Sequence, residues 1–223
     1  VLTAAREQDE PARVALETLC ASYWYPLYAF ARRRGATVED AQDLVQGFFA
    51  RLVEKRDFDR ADPGKGRFRA YLLGAFQNFV SNARDRARAR KRGGSWLRLD
   101  LDVVDAEGRL AAVDPNLSPE RAFDRDWALA LLDGVLEDLR ASYRKRGSEE
   151  LFDRIKGTLT GEGAAESYAT LAEQLGMTEG ALKVAVHRLR QRYKEAITAA
   201  VECTLAEPGE ARDELGLLFR ALE

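Results

Sequence analysis

Apolar residues recur along most of this chain at intervals of three and four, which is the repeat of an amphipathic α-helix. One helix is predicted over residues 38–54, and its buried side is formed by Leu44, Val45, Phe48, Phe49 and Leu52. Longer helices are predicted over residues 67–92 and from Pro119 onwards, and no long strand pattern appears. The pattern therefore predicts an all-α protein.

Local signals predict where some of these helices begin and where one is interrupted. Thr37, with an acid three residues later, and Ser118, directly before a proline, are the residue types that cap helix starts. Pro26 lies inside the aromatic stretch of residues 23–28. Because proline lacks an amide proton and its ring clashes with the preceding turn, Pro26 is predicted to break or kink the N-terminal helix.

The order of these segments predicts two helical domains, residues 1–92 and 118–207. Between them, residues 93–117 are rich in Gly, Asp and Pro, which predicts a flexible acidic linker. Residues 208–223 form an acidic amphipathic C-terminal extension, whose apolar stripe comprises Leu215, Leu218, Phe219 and Leu222. Because an apolar stripe of this kind marks a contact surface, the extension is expected either to pack on the second domain or to regulate the protein.

Residues 167–194 have the pattern of a helix-turn-helix. A first helix ends at Gly176, which allows a tight turn, and Thr178 is placed to cap a second helix. Residues 178–194 contain five basic residues against one acid. An ordinary helical hairpin is the alternative, but the cationic outer face favours a reader of the DNA major groove. The predicted contacts to duplex DNA are Thr178, Lys183, Val184, His187, Arg188 and Arg190.

The helix predicted over residues 67–92 combines aromatic and cationic residues. Its apolar positions, at spacings of four, four and three, are expected to pack inward, whereas Tyr71 and Asn78 fall on other faces. Aromatic rings beside cations suit unstacked, single-stranded bases. The predicted contacts at melted DNA are Tyr71 and Asn78, with Arg84, Arg86 and Arg88 facing phosphates.

Charge and composition narrow the range of functions. The net charge of −2 conceals seven basic residues against one acid in residues 84–98, and eleven acids against three arginines in residues 99–139. Cys20 and Cys203 lie far apart and His187 is the only histidine, so we expect no metal, no cofactor and no catalytic residue. No signal peptide and no apolar run of membrane-spanning length are visible. We therefore expect a cytoplasmic protein without membrane association.

Three segments, in this order, resemble those of an extracytoplasmic-function sigma factor of bacterial RNA polymerase, in the sigma-70 family. Residues 40–52 resemble the helix of the second region that grips the polymerase clamp. Residues 68–72 with Asn78 resemble the segment that melts the downstream promoter element, with Tyr71 where the family usually has Trp. Residues 175–188 resemble the fourth region, which reads the upstream element.

The resemblance implies a protein that binds core RNA polymerase and promoter DNA and that carries out no catalytic step itself. It implies a regulator as well, for example an anti-sigma protein or a kinase. Gly47 stands where the family usually has an acid, and the C-terminal extension is additional to the minimal family architecture. The residues implied at the polymerase are Asp40, Asp43, Leu44, Gln46 and Phe49.

The alternative function is that of a two-domain helix-turn-helix regulator, which binds duplex DNA without contacting core polymerase. Residues 40–52 distinguish the two hypotheses, because a simple repressor or activator would not need a clamp-binding helix.

Overall fold

A computed structural model of the chain describes residues 10–55, 68–89, 103–111, 114, 116–160, 167–202 and 211–222. Over these residues the protein is all-α and contains no strand, as the hydrophobic pattern predicts. None of the described helices is both long and apolar enough to cross a bilayer. The helices are α1 (Glu10–Arg33), α2 (Val38–Lys55), α3 (Phe68–Ala89), α4 (Val103–Ala111), α5 (Pro119–Lys145), α6 (Glu149–Ile155), α7 (Gly157–Thr160), α8 (Tyr168–Gln174), α9 (Glu179–Glu202) and α10 (Ala211–Leu222).

The chain separates into two compact units, whose limits differ from the predicted domain boundaries. The first comprises Val1–Ala130 together with Thr204–Glu223, and the second comprises Leu131–Cys203. The division falls inside α5, because the beginning of this helix buries Phe123 and Trp127 in the first unit. The C-terminal extension also belongs to the first unit rather than to the second.

The core of the first unit is formed where α1, α2 and α3 pack together. Phe76 lies at its centre, with its ring centroid 5.1 Å from that of Phe48 and 6.3 Å from that of Phe30. Phe49 and Leu72 are fully buried beside these rings. Each buried side chain of this size stabilises the fold by about 1.5–3 kcal/mol, so the aromatic cluster holds the three helices in register.

Pro26 was predicted to break or kink the N-terminal helix. Helix α1 continues through Pro26, so the break is wrong, and the kink stays a prediction. A proline inside a helix costs about 3 kcal/mol. Its neighbours Tyr25, Leu27 and Tyr28 are all buried, and burial of three such side chains outweighs that cost. Packing in the core therefore decides the conformation here.

Part of the predicted flexible linker is helical, because α4 packs against α1. Ala106 is fully buried, and Glu107 of α4 receives a hydrogen bond of 2.6 Å from the Tyr28 hydroxyl. The Arg32 guanidinium binds the same carboxylate with two bonds, of 2.9 and 2.8 Å. The prediction of a flexible linker over residues 93–117 is thus wrong for residues 103–111. This part is helical and is held to α1 by the ion pair of Glu107 with Arg32.

Helix α10 buries only part of the apolar stripe predicted for the C-terminal extension. Ala211, Glu214 and Leu218 are buried, whereas Phe219 is 54% exposed. The predicted stripe is therefore wrong at Phe219. The helix turns Glu214 inward because this carboxylate binds a buried arginine of α3, and Phe219 consequently faces outward.

In the second unit, α8 packs against α9. The inward side of α9 buries Leu182, Val186 and Leu189, which recur at helical spacing. The ring of Tyr143 in α5 lies 5.3 Å, between centroids, from that of Phe152 in α6. These contacts leave the opposite side of α9 exposed.

Candidate nucleic-acid and polymerase surfaces

A cleft of about 420 Å³ opens between α2 and α3 in the first unit. Burial of Leu72 and Phe76 fixes the rotation of α3, and this rotation directs Tyr71 and Asn78 to the cleft. Both residues were predicted from the sequence to contact melted DNA, and both line this α2–α3 cleft. The lining residues are Phe48, Arg51, Leu52, Ala70, Tyr71, Gly74, Ala75, Asn78, Phe79 and Asn82.

The α2–α3 cleft combines the groups that bind an unstacked nucleobase. The Tyr71 and Phe79 rings offer stacking surfaces, and the Asn78 and Asn82 amides can bind base edges. Its volume lies within the usual range for small-molecule sites, about 300–1,000 Å³. The cleft is therefore large enough for an unstacked base.

Arg51 brings a cation to the α2–α3 cleft that the sequence analysis did not identify. It belongs to α2, whereas the predicted nucleic-acid residues belong to α3. Its position three residues after Phe48 only weakly indicates a role in the cleft, because the packing of α2 against α3 is what brings Arg51 near Tyr71. Asn82, four residues after Asn78, is one turn away on the same helix and could have been identified by that spacing.

Gly74 leaves room at one wall of the α2–α3 cleft. A Cβ atom added at this residue would meet no other atom within 4 Å. Ala70 and Ala75 line the same wall with small side chains. The depth of the cleft thus depends on small residues of α3.

The polymerase-binding residues predicted on α2 differ in accessibility. Asp43 is exposed, and Leu44 and Gln46 are half-buried at the edge of the helix. Asp40 is exposed as well, and its backbone amide donates to the Thr37 hydroxyl at 3.1 Å, which is the predicted cap. Phe49, however, is fully buried. Its assignment to a contact surface is therefore corrected, because it lies on the side of α2 that forms the core.

The start of α9 has the cap that the sequence predicts. The Thr178 hydroxyl accepts a hydrogen bond from the Ala181 amide at 3.2 Å, and Gly176 in the preceding turn has a φ of 63°. This left-handed conformation is one that glycine adopts readily. The turn precedes α9, whose first residues, 179–181, are exposed.

The exposed side of α9 carries the predicted DNA contacts. Lys183, His187 and Arg188 are exposed, and Val184 is an apolar residue among them with 48% of its surface accessible. Cations and a methyl-bearing side chain on one helix face are what the edges of the bases in a major groove require.

Two of the DNA contacts predicted on α9 have partners within the protein. The Lys183 ammonium lies 2.6 Å from the Glu179 carboxylate, and this hydrogen bond raises the pKa of Lys183. Arg190 is exposed, but its Nη2 donates to the Thr158 carbonyl at 3.1 Å and so connects α9 to α7. Arg188 and His187 are thus the residues on which we base the DNA-contact assignment most directly.

The predicted phosphate contacts lie at the end of α3. The helix continues to Ala89, so the backbone at Arg84, Arg86 and Arg88 is helical. Their side chains lie outside the described residues, and their contact with phosphate stays a prediction.

Comparison with known protein families finds a match that includes the helices around the α2–α3 cleft. Residues 21–92 match the model of the family described as Sigma-70 region 2. No curated protein and no solved structure matches the chain. Sigma-70 region 2 is a domain of transcription initiation factors. The family that this domain defines is not a known enzyme family. The match covers about a third of the chain, and it shows that this segment is similar to Sigma-70 region 2.

Proposed function

We propose that this chain is a sigma factor of the extracytoplasmic-function type, which binds core RNA polymerase, recognises promoter DNA and supports its opening. The observation that carries this proposal is the α2–α3 cleft. It lies within the residues that match Sigma-70 region 2 and unites Tyr71, Asn78 and Arg51. The protein contributes binding free energy to opening and performs no covalent chemistry.

In this proposal the α2–α3 cleft holds one base of the melted downstream promoter element. A base that leaves the duplex loses its stacking, and an aromatic side chain restores part of that stabilisation, roughly 1–3 kcal/mol per base. Tyr71 supplies the ring, and the Asn78 amide offers hydrogen bonds to the base edge. Because a base inside an intact duplex is stacked on its neighbours and has no free face to offer Tyr71, binding there favours the melted state.

The helix pair α8 and α9 reads the upstream element as a helix-turn-helix in the duplex major groove. Arg188 and His187 supply donors to base edges, and Val184 suits the methyl group of thymine. Their shared exposed face supports this assignment. Arg84, Arg86 and Arg88 extend the contact to phosphates, which positions the protein without specifying sequence.

Core polymerase binds the exposed edge of α2 in this proposal. Asp43 and Gln46 are polar groups beside the half-buried Leu44, and such an edge combines apolar burial with polar specificity. An anti-sigma protein or a kinase acts as regulator, and the protein acts in the cytoplasm, where its proposed partners, polymerase and promoter DNA, are found.

The proposal is tested by transcription with purified core polymerase on a library of duplex promoters, using the full chain. We expect transcripts that start at defined positions only when the chain is present, together with co-purification of chain and polymerase. Sequence-specific binding to duplex DNA without polymerase association or transcripts would instead establish the regulator that acts without core binding.

A further inference from the structure

Glu214 of α10 binds Arg69 in the first turn of α3, although the two residues are 145 positions apart. Nη1 of Arg69 lies 2.5 Å from Oε1 of Glu214, and the exposed fractions of the two side chains are 7% and 3%. A charge removed from water in this way needs a partner of opposite charge. The C-terminal helix therefore supplies a partner to a charge in the interior of the first unit.

Arg69 has two further partners, both on α5. Its Nε lies 3.0 Å from Oδ1 of Asp124, and its guanidinium carbon lies 4.6 Å from the centre of the Trp127 ring. An arginine with carboxylates from two helices and an aromatic ring beside it is held in one orientation, because its planar group satisfies several partners at once. The start of α3 is thus fixed by residues of α5 and α10.

Arg69 and Tyr71 point to different sides of α3. Two residues along an α-helix correspond to a rotation of about 200°, so Arg69 is directed inward when Tyr71 lines the α2–α3 cleft. No residue of α10 lines that cleft. Helix α10 thus supports the start of α3 and leaves the cleft open.

We infer that Glu214 is a positioning residue for promoter opening, which acts by holding Arg69 and thereby setting the first turn of α3 and the place of Tyr71. This inference rests on the proposed function of the α2–α3 cleft. It assigns the C-terminal helix a supporting role in the unit that meets the downstream element, rather than an inhibitory one.

The test compares Glu214→Gln with Asp213→Asn in the full chain. Both changes remove one negative charge from α10, but Asp213 is exposed. The measurements are core polymerase binding, thermal stability, and the rate of open-complex formation on a duplex promoter and on a premelted promoter. For Glu214→Gln we expect normal polymerase binding, several-fold slower opening of the duplex promoter and a smaller loss on the premelted one. Asp213→Asn should match the unchanged chain.

A double-variant experiment separates positioning from general stability. If Glu214 acts through Tyr71, then Glu214→Gln should slow opening much less in a Tyr71→Ala background than in the unchanged chain. Equal effects in both backgrounds, or unchanged opening by Glu214→Gln, would overturn the inference.

Glu214→Asp keeps the charge and provides a milder variant if Glu214→Gln does not fold. If Glu214→Asp slows open-complex formation more on the duplex promoter than on the premelted one, even by a smaller factor, the inference is supported. Equal slowing on the two promoters overturns it. Failure of the proposed function is distinguishable, because the unchanged chain would then not initiate transcription with core polymerase at all.

Discussion

Arg33 of α1 and Asp126 of α5 form a buried ion pair in the first unit, with Nη1 of the arginine 2.6 Å from Oδ2 of the aspartate. The Asp126 side chain is 2% exposed. Burial raises the pKa of Asp126, and the hydrogen bond from Arg33 opposes this rise. The pair joins α1, the helix before the α2–α3 cleft, to α5, whose residues Asp124 and Trp127 contact Arg69.

Replacement of Arg33 by Gln should destabilise the first unit by about 3–5 kcal/mol at neutral pH, because the Asp126 carboxylate is left buried without its charged partner. The pKa of Asp126 in the folded state is raised above that in the unfolded state. Its ionisation as the pH rises therefore lowers stability, and loss of Arg33 enlarges this effect. The loss of stability in Arg33→Gln, relative to the unchanged chain, should consequently be smaller at mildly acidic pH. Urea unfolding over a pH series measures it.

Arg33→Gln combined with Asp126→Asn is the matched control for that prediction. The double variant removes both charges and should recover part of the lost stability at neutral pH. A deficit in Arg33→Gln that is independent of pH would contradict the role assigned to Asp126.

The contact between α4 and α1 should depend on the ionised form of Glu107. The hydrogen bond from Arg32 lowers the pKa of Glu107 from 4.5 to about 2. The stabilisation is therefore present above the unfolded-state pKa and is lost as the pH falls through about 2. Glu107→Gln should release α4 already at neutral pH, seen as faster amide hydrogen exchange over residues 103–111. Asp105→Asn, at an exposed position of the same helix, should leave exchange unchanged, and equally fast exchange in both variants would contradict the prediction.

A larger side chain at Gly74 should fill the α2–α3 cleft without damage to the fold. The space beyond Gly74 is open, and a residue with better helix propensity stabilises a helix by up to about 1 kcal/mol relative to glycine. We expect Gly74→Leu to keep or raise the melting temperature while it slows promoter opening. Gly74→Ala should change opening less, and Gly134→Leu, in open space on α5, should not change it. Normal opening by Gly74→Leu would show that the cleft holds no base.

Arg188→Ala should weaken recognition of the upstream element by roughly 1–3 kcal/mol, the value of a good bidentate base contact. Lys183→Ala should also weaken binding to the upstream element, but by less, because Lys183 must leave Glu179 to reach a base. Binding to specific and scrambled duplexes over a series of salt concentrations separates base readout from phosphate contact. Lys194→Ala, further along the exposed side of α9, is the control. If it weakens specific binding as much as Arg188→Ala does, the recognition face is wrongly assigned.

Charge reversal at Asp43 should impair association with core polymerase, because this exposed acid lies on the predicted contact edge of α2. Gln46→Ala should have a weaker effect in the same direction. Co-purification with core polymerase measures binding, and circular dichroism checks the fold. Glu150→Arg makes the same charge change at an exposed position of the second unit and should bind normally. Normal binding by both α2 variants would favour a regulator that does not contact the polymerase.

Several features of this protein could be predicted from the sequence because they depend on neighbouring residues. The start of α2 at the Thr37 cap and the start of α9 at the Thr178 cap follow from hydrogen bonds between residues three positions apart. The burial of Leu182, Val186 and Leu189 follows from the helical repeat. The same repeat placed His187 and Arg188 on the exposed side before any contact was known.

Only the tertiary structure decided which distant groups meet. Charge counts show that residues 99–139 are acidic, but they do not show that Glu107 binds Arg32, and they predict a flexible linker where α4 packs. Composition likewise places Glu214 in an acidic tail, whereas packing buries it against Arg69. Helix periods and caps are set by backbone geometry over a few residues. The partner of a buried charge, by contrast, depends on desolvation and on which helices pack together, and these are properties of the whole fold.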